Sequence, residues 1–106
     1  MGYTFIPDVA SEVPVSADGT LSRVLHRTDR LRLVAFSFDR GQELTEHTAA
    51  VPVALQVVTG RLRVDIDDDS FEVGPGGWLH MEAHLAHGVV ALEPTVALLT
   101  MLPGAA

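Results

Sequence analysis

Past residue 27, turn-forming residues recur at short intervals, and nothing of helical length between them carries a helical apolar period. The breaks fall at Thr28-Asp29, Gly41, Thr59-Gly60, Asp68-Asp69, Gly74–Gly77 and Glu93-Pro94. The pieces between them are short and rich in β-branched residues, which predicts strands. Arg61–Asp67 is the clearest: Leu62, Val64 and Ile66 alternate with Arg61, Arg63, Asp65 and Asp67, the period of a half-buried strand. Strands are likewise predicted at Ser22–His26, Leu31–Phe38, Leu44–Ala49, Val53–Val58, Phe71–Val73, Trp78–Glu82, His87–Leu92 and Thr95–Leu102. The first twenty residues, with Pro7, Pro14, Ser16, Asp18 and Gly19, read as an extended arm crossing the body. The expectation is an all-β, single-domain antiparallel β-barrel or jelly roll spanning 1–106, its core within 31–102.

Composition narrows the chemistry. A chain of 106 residues with 47% hydrophobic side chains is one globular domain. All seven basic residues are Arg, so lysine Schiff-base chemistry is excluded. The absence of Cys excludes thiolate catalysis, disulfides and cysteine-held metal clusters. A net charge of −7 repels phosphate backbones, which argues against nucleic acid or anionic membrane as a partner. Met1–Pro7 has neither the basic start nor the apolar run of a signal peptide, and no apolar stretch is long enough to span a bilayer. A cytoplasmic protein is expected. The apolar Tyr3, Phe5 and Ile6, together with edge strands that need covering, point to a homodimer.

Two segments carry a longer pattern. Gly41, His47 and Gly60 keep the spacing G-x5-H-x12-G, and Gly76 and His87 follow after an interval of fifteen residues. The sequence resembles the cupin superfamily, whose first motif reads G-x5-H-x-H-x3-E-x6-G and whose second reads G-x5-P-x-G-x2-H-x3-N. Ala49 and Val53 stand where that pattern has its second histidine and its glutamate. Glu82, His84 and Ala91 replace the proline, glycine and asparagine of the second motif. The chain is most similar to small RmlC-like cupins whose first motif reads His-x-Ala, sharing the Gln56–Gly60 stretch (QVVTG) and the ending His87–Glu93.

The resemblance implies that His47 and His87 point into a barrel mouth from different strands. Two imidazoles there make half of a first-row transition-metal site, for Zn, Ni, Cu, Fe or Mn, with His84 as a candidate third ligand. The competing reading has both rings satisfied by backbone or water. Ala49, Val53, Leu55, Val57 and Met81 are expected to line the mouth, and their apolar character favours an organic ligand over a hydrated ion. Glu43, an even offset from His47, is a weaker candidate ligand; His80, Gln56 and Trp78 are expected on the outer face, and His26 away from the site. Asp65 and Asp67–Asp69 lack the pattern of a calcium loop and read as a solvated turn. Three functions remain open: a small-molecule-binding protein, a metal-dependent dioxygenase or isomerase of a small carbonyl or enol compound, and a metal-free isomerase or cyclase with a histidine base. Whether the protein is an enzyme is undecided at this level.

Overall fold

The computed structural model describes residues 2–104; Met1 of the arm and Ala105–Ala106 of the 1–106 domain lie outside the described residues. After a single 3-10 turn at Ala10–Glu12, nine strands follow: β1 (Thr20–Arg27), β2 (Arg32–Phe38), β3 (Glu43–His47), β4 (Val53–Thr59), β5 (Leu62–Ile66), β6 (Asp69–Val73), β7 (Trp78–Met81), β8 (His87–Ala91) and β9 (Thr95–Met101). Each is the predicted segment, trimmed or extended by one or two residues. They form two antiparallel sheets, β1-β2-β9-β4-β7 and β3-β8-β5-β6. This is a jelly roll of two separate sheets rather than a continuous closed barrel. No helix among the described residues is long and apolar enough to cross a membrane.

Alternation decides the packing. In β5, Leu62 and Val64 are fully buried while Arg63, and Arg61 just before the strand, are exposed. They join Phe38, Leu55, Val57 and Ala97 of the larger sheet and Val73, Val89 and Ala91 of the smaller one in a core between the sheets. The opposite parity of the larger sheet, Ala35 and Val96, is buried under Val9, Ala10 and Val13 of the N-terminal segment. Ser37 Oγ donates to the Pro14 carbonyl and ties that segment down.

Turn chemistry fixes the connections. Gly60 sits at φ +86, and a Cβ there would collide with the Pro94 carbonyl and Thr95, so only glycine fits. Buried Thr95 accepts from the Arg61 backbone N–H at 3.0 Å through Oγ1 and locks the β4–β5 and β8–β9 turns together. Asp67 adopts φ +51 in the two-residue turn between β5 and β6, a conformation aspartate tolerates.

Candidate functional site

His47 ends β3 and His87 begins β8, and the two are direct cross-strand partners. Their ring centroids lie 4.3 Å apart at 58°. Each ring is held by its own strand: His47 Nδ1 lies 2.8 Å from the Thr45 carbonyl and His87 Nδ1 2.9 Å from the Leu85 carbonyl. A carbonyl only accepts, so both Nδ1 atoms carry the proton and donate. That assigns one tautomer to both rings and leaves Nε2 of each free for a ligand. His87 is buried; His47 is exposed at the opening.

Both histidines line a cavity between the sheets with nine apolar side chains, among them Phe36, Phe38, Leu55, Met81 and Leu99. Its volume is ≈ 50 Å³, on a scale where one water needs about 10–15 Å³. That is room for a few non-hydrogen atoms. Among the described residues the two imidazoles are its only titratable groups, in an otherwise apolar lining.

The expected site residues are placed unevenly. His47, His87, Leu55 and Met81 share the cavity. Val53 and Val57 point inward but are buried in the wall, 1% and 0% exposed, and do not line it. Alternation gives the face of a residue, not its depth along that face. Ala49 lies in the loop after β3, where its carbonyl accepts the His84 N–H at 2.7 Å. His84, at φ +68, is exposed in the loop between β7 and β8 and outside the cavity lining. His80 and Trp78 stack on the outer face, centroids 6.3 Å apart, and exposed Gln56 pairs with Trp78 there. His26 Nδ1 lies 3.3 Å from the Thr4 hydroxyl, away from the site.

One parity argument fails for a local reason. A register irregularity between Leu44 and His47 interrupts the alternation, so Leu44 and His47, three residues apart, both face the cavity. Glu43 is thereby turned outward, onto a surface groove with Glu46, Arg63 and Asp65. The lining from β2 and β9, Phe36, Phe38, Ala97 and Leu99, was missed because it lies outside both motifs. The period-two run Phe36, Phe38 is the sequence signal that marks it.

The donor set does not fit the four-ligand ion that the motif resemblance implies. Among the described residues, no group of three His, Asp or Glu side chains is positioned to hold a metal. Two neutral imidazoles supply neither the number nor the charge that retains a divalent ion.

No family model matches the chain, and no curated protein matches it. Solved structures do. A conserved protein of unknown function from Streptococcus pyogenes superimposes with a TM-score of 0.86 at 27% identity, covering 100% of this chain and 93% of that one. A cupin superfamily protein from Desulfitobacterium hafniense gives 0.83 at 24% identity over 88% and 85% of the two chains. KdgF from Halomonas sp. gives 0.77 at 28% identity over 82% of each. The two-sheet jelly roll is thus one that many solved structures share. The chain shares its fold with these cupin and RmlC-like cupin structures.

Proposed function

We propose that the protein binds a small organic molecule in the cavity between its sheets, with His47 and His87 as the polar anchors. The observation that carries this reading is the lining itself: nine apolar side chains and two imidazoles whose tautomers are already fixed. Apolar walls with a few convergent polar groups are the usual form of a small-molecule site. In the neutral rings, Nε2 accepts a hydrogen bond from a hydroxyl or amide N–H of the ligand. Ala49 and Val53, standing at two of the family's metal-ligand positions, provide no donor side chain. Two histidines alone hold a divalent ion only weakly.

The test is a nuclear magnetic resonance titration of isotope-labelled protein with small polar-headed organic compounds. Shifts should concentrate on β2, β4, β8 and β9 and vanish in Ala97→Leu. Ala97 is fully buried in the lining, so the larger side chain fills the space. Compounds that shift none of these residues, or shifts that persist in Ala97→Leu, would refute the reading.

A further inference from the structure

The register of the larger sheet sets Arg27, Arg32, Met101, Val53 and Met81 side by side in one row. Residues of one row share a sheet face. Met81 in this row lines the cavity and Val53 is buried in its wall, so the row belongs to the inward face. Down β2 the same parity runs Arg32, Val34, Phe36, Phe38, the last two lining the cavity. The row stands at the end of the sheet where Met81 and the histidine pair share one space. That end of an otherwise apolar face therefore carries half-buried Arg32, opposite exposed Arg27 and beyond the residues that line the cavity.

That arginine is unsatisfied. Arg32 Nε is buried and has no hydrogen-bond partner. Among the described residues, no carboxylate lies within ion-pair distance of Arg27 or Arg32, in a chain with fourteen acidic side chains. Like charges directly opposite across a strand pair destabilise a sheet, and a buried N–H without an acceptor adds to that cost. An anion bound at Arg32 supplies the missing acceptor and offsets the facing like charges. A planar guanidinium fork matches a carboxylate with two parallel hydrogen bonds.

We propose that the ligand is a small carboxylate, its anionic group held by Arg32 with Arg27 and its apolar body in the cavity toward His47 and His87. The proposal rests on the reading of the cavity as a small-molecule site and names the class of molecule. The cavity's volume limits the apolar part to a few carbons.

Propionate, its neutral isostere propionamide and inorganic phosphate are titrated into the wild type, Arg32→Gln and Arg32→Met, with binding read by nuclear magnetic resonance shifts. Propionate should bind the wild type about tenfold or more tightly than propionamide, the ratio falling with added salt. Both Arg32 variants should lose that preference while still binding propionamide. Arg32→Met should also unfold at the same urea concentration as wild type or a higher one, since it removes a buried N–H without a partner. Equal affinity for acid and amide in the wild type, or a preference that survives in both variants, would overturn the carboxylate assignment and leave the pocket standing. Phosphate binding as tightly as propionate would assign the arginines to tetrahedral oxyanions instead. If neither propionate nor propionamide binds the wild type, the pocket reading fails and the carboxylate assignment falls with it.

Discussion

Placing a carboxylate at Val64 should unfold the protein, while removing the one at Asp65 should leave it folded. Val64 is fully buried at the centre of β5, paired with Phe71 on one side and Val89 on the other. Burying a valine side chain contributes about 1.5–3 kcal/mol, which Val64→Asp forfeits. Desolvating the new side chain without a partner costs several kcal/mol more, whether it stays ionised or takes up a proton. A domain of this size is stable by about 5–15 kcal/mol, so the sum removes most or all of that margin. Val64→Ala calibrates the position: it gives up two methyl groups and leaves a small void, about 2–3 kcal/mol, or roughly 10–20 °C in Tm. Asp65, one residue on, points to solvent, with Ser70 and Arg63 as its only side-chain partners. An exposed pair of this kind contributes little. Urea unfolding followed by circular dichroism should show Val64→Asp without a folded baseline and Asp65→Ala with a midpoint near wild type. Comparable destabilisation by both would mean that β5 is paired one residue out of register, since such a slip exchanges its faces.

Three further outcomes are expected. The Asp39 carboxylate accepts the Asp18 and Arg40 backbone N–H groups at 2.7 and 2.9 Å, which holds its pKa below the ordinary 3.8. The ionised form is the one the fold favours, so this stabilisation is complete above the ordinary value and is lost as pH falls below it through the folded pKa. The gap in urea midpoint between wild type and Asp39→Ala should therefore be wider at neutral pH than in strong acid, and a gap independent of pH would refute the assignment. Titration calorimetry of untagged protein with nickel or zinc should show weak binding that disappears in His47→Ala or His87→Ala; loss of binding in His84→Ala would make it a third ligand and refute the two-donor site. Tyr3, Phe5 and Trp78 are 91%, 76% and 65% exposed, an apolar load on one small chain that a second copy would cover; light scattering should give a dimer mass at micromolar concentration, and a monomer mass would refute this.

Much of the fold was legible because its signals are local. Leu62, Val64 and Ile66 announce β5 within seven residues, and Thr59-Gly60 announces the turn before it. The histidine pair was legible through the spacing of two motifs and came together as direct strand partners. The rest depends on contacts that sequence order hides. Phe36 and Phe38 reach the cavity because β9 lies between β2 and β4, a crossover no short-range pattern encodes. Glu43 was misplaced because one irregularity after Leu44 shifts the parity of a strand only five residues long. Arg32 drew no reading from the sequence, because only its row, through Met101 to Val53 and Met81, places it on the inward face.

The way the histidines are held explains how the fold keeps them without a third histidine or a carboxylate. Each ring donates from Nδ1 to the carbonyl two residues before it, Thr45 for His47 and Leu85 for His87. Neither anchor involves a metal or a second side chain, so ring orientation is built into the ends of β3 and β8. Alanine at 49 and valine at 53 then remove coordinating atoms without releasing the pair. What remains is a site whose free Nε2 atoms are available as acceptors, with the Arg27–Arg32 strand pair on the larger sheet. On the proposed carboxylate reading such a site discriminates by polarity: an anionic head at the arginines, an apolar middle, and a hydrogen-bond donor at the imidazoles. A small hydroxy acid would meet all three, whereas a divalent ion would find only the two imidazoles.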